Sequence, residues 1–444
     1  MTTLDRSLAE QRAKFLADVQ TDNARDWTVV MGNEAGDLDS LASSLAYAHF
    51  ANSSHVALQL TPRTDLYLRP ENLESLSRAA ISTASLLTID DLAPASLERL
   101  ESKFVLVDHN SLLPAFRSSR PDTDTDDDRV VAIIDHHVDE LAHTSSATNP
   151  RIIDLVGSCS SLVTDHFLAR TGSPVPDVPR GLADLLISAV LIDTRLKPSA
   201  DGGKATPVDL GAVRLLLPHS SFPYTPPASS LDGDDGAREV ATFGQVALDG
   251  MKERGAVLAK LKEDVSWMNG RDLLRRDYKE YVSDAAPASG GAAAGRSVRY
   301  GLSTVPLGLN VWLDKFEPGD DRLAHVVADV EAWMTERELD LCGVLTSYTH
   351  IKKKSGKEGK HRRELLVVTS DDRLGSTVFD GFEADDVLQL EEWKIVQDYG
   401  GIDSVLAGDG IKWKVWQQGN VKATRKQVAP VLKGLVAQAM LGPE

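Results

Sequence analysis

The stretch VVAIIDHHVDE (130–140) decides how the rest of the chain is read. Five apolar residues run without interruption into Asp135, His136 and His137. An apolar run of that length, with no alternation, is the pattern of a strand buried on both faces. Its ending leaves two readings open. Either a polar turn carries two histidines, or the strand delivers metal ligands to the edge of a sheet.

The neighbouring segments have the same construction. DWTVVMGN (26–33) predicts a strand over Thr28–Met31, and DSLASSLAYAHFA (39–51) then places Leu41, Leu45 and Ala48 on one helical face. Further strands are expected in HVALQL (55–60) and KFVLVDHN (103–110). GSCSSLVTDHFLAR (157–170) is a Gly-Ser turn into a helix, and GLADLLISAVLIDT (181–194) a helix with a polar end. Strands alternating with helices imply an α/β fold, here an N-terminal parallel-sheet domain. The best of the strand candidates end in Asp, Asn or His, and open parallel sheets bind ligands at the carboxyl ends of their strands.

A chain of 444 residues exceeds one ordinary core and divides into two domains. The expected division is 1–225, a Pro/Ser/Gly/Asp-rich linker at 226–240, and a smaller α/β domain at 241–444. The second domain opens with helical segments over 244–281, separated near Asn269 and Gly270. Strands are expected in VRYGLSTVPL (298–307), LCGVLTSYTH (341–350), RELLVVT (363–369) and IKWKVWQ (411–417). Segments 284–297 and 351–363 read as loops, the latter lysine-rich.

Apolar residues make up 42% and charged residues 26%, a globular composition with no run long enough to span a membrane. The first residues carry no secretory signature, and two cysteines, Cys159 and Cys342, suit a reducing compartment, so a cytoplasmic location is expected. A net charge of −18 argues against general nucleic-acid binding. Local basic clusters remain at 351–363 and across Lys412, Lys414, Lys422, Arg425 and Lys426.

Asp37, Asp39, Asp108, Asp135 and Asp193 are the acids at element ends, with His136 and His137 beside them. Five carboxylates at one sheet edge repel one another, and divalent cations relieve that repulsion. Carboxylate with imidazole suits Mg²⁺, Mn²⁺, Co²⁺ or Zn²⁺. Asp37 and Asp39, two residues apart, can face different ions, and Asp108 can bridge them. Two metals about 3.5–4 Å apart are the arrangement for in-line displacement at phosphorus. A histidine beside a phosphoryl oxygen can bond or protonate it, which divides the pair into one imidazole for metal and one for substrate. Taken singly, a DxD is ordinarily a turn or cap, a strand-ending Asp a turn former, GSCSS a cap and Lys352–Lys354 a solvated loop. Their joint placement at element ends carries the argument.

In these motifs the chain resembles the DHH phosphoesterases, in the branch of family II inorganic pyrophosphatases, prune-like proteins and cytosolic exopolyphosphatases. GNEAGDLDS (32–40), LVDHN (106–110), IIDHH (133–137), and GSCSS with LIDT are similar to its N-terminal motifs. DVSWMNGRDLLRRDYKEY (264–281) and ATRKQVAP (423–430) resemble its C-terminal domain. The resemblance implies an active site in the interdomain cleft, with Asp37, Asp39, Asp108, His136 and Asp193 ligating two divalent metals, Asp108 bridging. It implies a phosphate contact for His137, terminal-phosphate contacts for Arg425 and Lys426, and a further substrate contact for Lys197. Arg271, Arg275 and Arg276 read as helix-surface charges. Asn33 stands where the pyrophosphatase pattern has histidine, which favours Mg²⁺ and the exopolyphosphatase branch. Asp135 is expected to support the site rather than bind metal.

The expected function is removal of terminal phosphate from linear polyphosphate by a metal-activated hydroxide, with His137, Asp108, Arg425 and Lys426 as the catalytic groups. A prune-like phosphodiesterase, a short-chain polyphosphatase or pyrophosphatase, and an inactive scaffold of the same fold are the rivals. Oligomeric state is not readable.

Overall fold

A computed structural model describes residues 2–51, 53–93, 97, 100–117, 129–170, 177–224, 243–283, 297–317, 321–351, 358–393 and 410–441. The chain forms two compact units, Met1–Asp264 and Val265–Glu444.

In the first unit, β1 (Thr28–Met31), β2 (His55–Gln59), β3 (Leu87–Thr88), β4 (Lys103–Val107), β5 (Val130–Asp135) and β6 (Arg151–Ile153) form one sheet in the order β3-β2-β1-β4-β5-β6. Every pairing in it is parallel. Successive strand residues point to opposite faces, so both faces need apolar cover. Val30, Val105, Val107, Ala132 and Ile134 pack under one helical layer, whereas Val29, Met31, Phe104, Leu106 and Ile133 pack with Phe15, Trp27 and Phe116 on the other side. That is why the strands read as continuous apolar runs. The strand order reverses between β1 and β4, and β5 lies next to β4, so the three motif-bearing strands release their chains at one topological switch point.

The helices of this unit are α1 (Thr3–Gln20), α2 (Leu38–Ala51), α3 (Pro70–Arg78), α4 (Cys159–Asp165), α5 (Arg180–Thr194), α6 (Pro207–Leu216) and α7 (Gln245–Glu263). Helix α7 differs from expectation. It falls within the expected second domain, 241–444, but Ala247, Met251 and Leu258 are buried in the first core. Buried Arg254 also ties it to Glu74, Ser75 and Ser188. The expected linker, 226–240, lies outside the described residues.

The second unit holds a mixed sheet in the order β12-β13-β11-β9-β8-β7, with β10 paired to β11. Its strands are β7 (Tyr278–Ser283), β8 (Val298–Val305), β9 (Leu341–Thr346), β10 (Tyr348–Ile351), β11 (Glu358–Thr369), β12 (Leu390–Glu392) and β13 (Lys412–Gln418). Its helices are α8 (Gly270–Arg276), α9 (Leu309–Leu313), α10 (Arg322–Arg337), α11 (Asp372–Glu383) and α12 (Arg425–Leu441). The break expected at Asn269 is a capping box, in which Asn269 and Asp272 satisfy each other's backbone N–H.

Two expectations fail here. Residues 278–281 are strand rather than helix, because Tyr281 pairs across to Tyr300 and the two rings stack at 5.4 Å. Arg276 is buried, not a surface charge, whereas Arg271 is partly exposed and bonds Glu336. Arg275 is partly buried. The segment 351–363 also departs from the expected loop: Ile351 ends β10 and 358–363 begin β11, where the two strands pair antiparallel, while 284–296 and 352–357 lie outside the described residues. No described helix is long and apolar enough to cross a membrane.

Candidate active site

The loop after β1 approaches helix α2 so closely that a Cβ on Gly32 would stand 2.5 Å from the Ser40 Cβ. Only glycine permits that approach. It brings the Asn33 N–H to the Ser40 Oγ at 3.0 Å, while Asp37 starts α2 by accepting the Ser40 N–H at 3.1 Å. Helix α3 holds the loop from behind. Arg69 donates Nε and Nη2 to the Ala35 carbonyl at 3.2 and 2.7 Å, and Asn72 Nδ2 donates to the Gly36 carbonyl at 2.9 Å.

Asp108, in the left-handed backbone region at φ +62°, turns its carboxylate into this loop. Its Oδ2 accepts Ser40 Oγ at 2.6 Å and Asn33 Nδ2 at 2.7 Å. Asn33 is therefore a clamp on Asp108, with its own Oδ1 accepting the Ala35 N–H at 3.0 Å. The other oxygen, Oδ1, is buried and accepts no hydrogen bond among the described residues, although His136 Nε2 lies 3.2 Å away. Burial, together with the charges of Asp37 and Asp39, pushes Asp108 up to about 6 despite His136.

The two histidines after β5 have different partners. His136 directs Nδ1 to the Val156 carbonyl at 3.1 Å, which fixes Nε2 toward Asp108 and, at 4.0 Å, Asp39. Burial would lower this imidazole, but Asp108, Asp39 and Asp193 push it up to about 10 in the metal-free protein. His137 instead places Nδ1 2.8 Å from Asp135 Oδ1. Asp135 is fully buried and also accepts the N–H groups of His136 and His137 at 2.8 and 3.1 Å, and Asn110 Nδ2 at 2.5 Å. Burial works against its charge, yet His137 and Asn110 hold it at about 2. Its oxygens orient histidines and backbone. Ligand atoms of Asp108, His136 and His137 lie within 4.8 Å of one another.

Asp39 meets the start of α4. It accepts Cys159 N–H at 2.6 Å, Ser160 N–H at 2.8 Å and Ser158 Oγ at 2.8 Å, which explains the GSCSS turn. Asp193, near the end of α5, lies 3.4 Å from Lys262 Nζ on α7. Burial pushes Asp193 up to about 7, with Asp39 and Asp37 adding to the rise and Lys262 and His136 opposing it. The donors are carboxylate oxygen and imidazole nitrogen, a set suited to Mg²⁺ or Mn²⁺. Asp108 Oδ1 accepts no well-aligned hydrogen bond among the described residues and faces the His136 imidazolium, a place a divalent cation could take, so the residues fit such an ion.

Lys197 is exposed, two residues past the left-handed Arg195 that closes α5. In the second unit, Arg425 opens α12 and bonds Asp277, with Nη1 on its carbonyl at 3.0 Å and Nη2 on its carboxylate at 2.9 Å. Lys426 follows it, exposed. Sequence reasoning missed Ser40, Arg69, Asn110 and Lys262. Ser40 and Asn110 were discoverable, since they close the quoted GNEAGDLDS and LVDHN motifs; Arg69 and Lys262 act across long sequence separations without a local signal.

Residues 27–190 match the DHH family, N-terminal domain, and residues 256–435 match the DHHA2 domain. The Schizosaccharomyces pombe protein named "Putative exopolyphosphatase" is 28% identical over 442 residues, covering 97% of this chain and 96% of its own. Exopolyphosphatase PRUNE1 of Homo sapiens is 24% identical over 419 residues, covering 92% of this chain and 76% of its own. A "Probable manganese-dependent inorganic pyrophosphatase" of Shouchella clausii is 24% identical over 259 residues, covering 58% of this chain and 67% of its own.

Proposed function

The chain belongs to the DHH family, with a DHHA2 domain following its DHH domain, and from that premise we propose that it is a metal-dependent exopolyphosphatase. In coarser terms it is a phosphoanhydride hydrolase, the class to which its named relatives point. The observation that carries the proposal is the Asp108 Oδ1 atom, buried without a hydrogen bond and facing His136 Nε2 at 3.2 Å beside a sheet switch point. In the metal-free protein the His136 imidazolium faces that oxygen, and a divalent cation would take the place of its proton.

Asp37, Asp39, Asp108, His136 and Asp193 would hold two divalent cations, Mg²⁺ or Mn²⁺. When bound, such ions supply positive charge for the transferring phosphoryl group and acidify water at neutral pH. His136 presents Nε2 because its Nδ1 faces the Val156 carbonyl. His137 is braced by Asp135 through Nδ1, so Nε2 is the atom to hydrogen-bond a phosphoryl oxygen. Arg425, aimed by Asp277, and Lys426 would neutralise oxygens of the terminal phosphates, with Lys197 as a further substrate contact. Phosphoryl transfer depends mostly on such positioning and charge compensation.

The test is phosphate release from long-chain polyphosphate, tripolyphosphate, pyrophosphate and a cyclic nucleotide, with Mg²⁺ or Mn²⁺, for the wild type and Asp108→Ala. Release from linear polyphosphate that disappears in Asp108→Ala supports the proposal. Activity confined to pyrophosphate or to the cyclic nucleotide refutes the substrate assignment, and a wild type inactive on all four supports the scaffold.

A further inference from the structure

Asp209, the third residue of α6, is fully buried and has no place in the site as described above. Part of its role is local. Thr206 caps α6, and Asp209 Oδ2 accepts the Thr206 N–H at 2.7 Å and its Oγ1 at 2.8 Å, completing a capping box. A cap needs nothing more, yet both carboxylate oxygens also reach a segment some 50 residues earlier. Oδ2 accepts the Gly157 N–H at 2.9 Å; Oδ1 accepts the Ser158 N–H at 3.1 Å and Ser161 Oγ at 2.7 Å.

Those contacts fall on the segment that grips Asp39. Gly157 and Ser158 turn their N–H groups to Asp209, and the next two residues, Cys159 and Ser160, turn theirs to Asp39. Ser158 faces both ways, with its N–H on Asp209 and its Oγ on Asp39. Two buried carboxylates thus hold one short stretch of backbone between them. The approach is tight: a Cβ on Gly157 would stand 2.3 Å from Thr194 Cγ2 and 2.8 Å from Asp209 Oδ2. Ser158, Cys159, Ser160 and Ser161 are all fully buried, so no solvent can replace a lost contact.

We infer that Asp209 is a positioning residue for the metal centre, aiming the 157–161 backbone and, through it, the Asp39 carboxylate. The inference rests on the proposed metal site. Partners one shell removed from a ligand typically change metal affinity by about 10–100-fold when lost. In Asp209→Asn the volume is kept, but one oxygen becomes an NH₂ donor. Either amide orientation sets it against N–H or O–H donors, those of Gly157 and Thr206 on one side or of Ser158 and Ser161 on the other.

The experiment is Mn²⁺ titration calorimetry on the metal-free full chain, for wild type, Asp209→Asn and Ser161→Ala, with circular dichroism of the same samples. The expected result is a folded Asp209→Asn whose Mn²⁺ affinity falls about tenfold or more, with a smaller fall in Ser161→Ala. Wild-type affinity in a folded Asp209→Asn overturns the inference, since capping alone would alter stability and leave the site intact. If Asp209→Asn does not fold, Ser161→Ala decides: weakened binding supports the inference and unchanged binding overturns it. A wild type that binds no Mn²⁺ overturns the metal centre itself, and this inference with it.

Discussion

Replacing Asp108 by Asn should stabilise the metal-free protein while removing its capacity to bind metal. The Asp108 carboxyl is 1% exposed and is raised from 3.8 to about 6 by burial and by Asp37 and Asp39. Its ionisation therefore costs the folded, metal-free protein about 3 kcal/mol at neutral pH. The folded value lies above the unfolded one, so the penalty is absent below about pH 4, grows as pH rises, and is complete above about pH 6. Asn meets the site's other demands. It tolerates the φ of +62°, its oxygen can accept from Asn33 and Ser40, and its NH₂ can donate to His136 Nε2. In chelator at pH 8, hydrogen-exchange protection of β4 and β5 should show Asp108→Asn more stable than wild type by about 3 kcal/mol, the two converging near pH 4. Mn²⁺ at about 100 times its Kd should then stabilise wild type by about 2.7 kcal/mol for each site filled and the variant by little. A variant less stable than wild type in chelator at pH 8, or one equally stabilised by Mn²⁺, would refute the reasoning.

Other perturbations test separate parts of the account. His136→Ala should weaken Mn²⁺ binding measured by calorimetry, whereas His137→Ala should keep that affinity and lower kcat by about 10²–10⁴; equal effects on both quantities would remove the division of labour. Asn33→His should shift the metal giving highest activity toward Mn²⁺ or Co²⁺, and an unchanged preference would count against using that position to read metal choice. Away from the site, burial opposes the charge of Asp91, but Arg12, the Thr88 N–H and Arg63 hold it at about 2. Its folded value lies below the ordinary 3.8, so it contributes about 2 kcal/mol above about pH 4, lost as pH falls toward 2. Urea unfolding of Asp91→Asn should show that loss at pH 7 and little difference from wild type at pH 2; a neutral effect at pH 7 would contradict it.

What could be read from residues alone follows from how far apart the interacting groups lie in the chain. β1, β2, β4 and β5 were legible because a strand covered on both faces is apolar throughout, and the residues that follow β1, β4 and β5 carry the candidate site. β3 and β6, two and three residues long, are too short for any period to register. Residues 278–281 read as helix because they continue a helical stretch, and the Tyr281–Tyr300 stack that makes them strand is non-local. Helix α7 lies in the first unit, and its sequence does not show it for a related reason. Its apolar face names no partner, and only packing shows Met251 and Leu258 in the first core. At the site, DHH, LVDHN and GNEAGDLDS placed the acids and histidines at one sheet edge. The clamps on them outside those motifs, Arg69, Asp209 and Lys262, are ordinary polar residues until the fold brings them there.

The central claim is that divalent cations sit among Asp37, Asp39, Asp108, His136 and Asp193. Anomalous diffraction from crystals of the full chain grown with Mn²⁺ tests it directly. The account predicts two peaks at the carboxyl edge of β1, β4 and β5, both against Asp108 and one against His136 Nε2. Mn²⁺ peaks elsewhere, or an Asp108 carboxylate with no metal beside it at saturating Mn²⁺, would contradict the account.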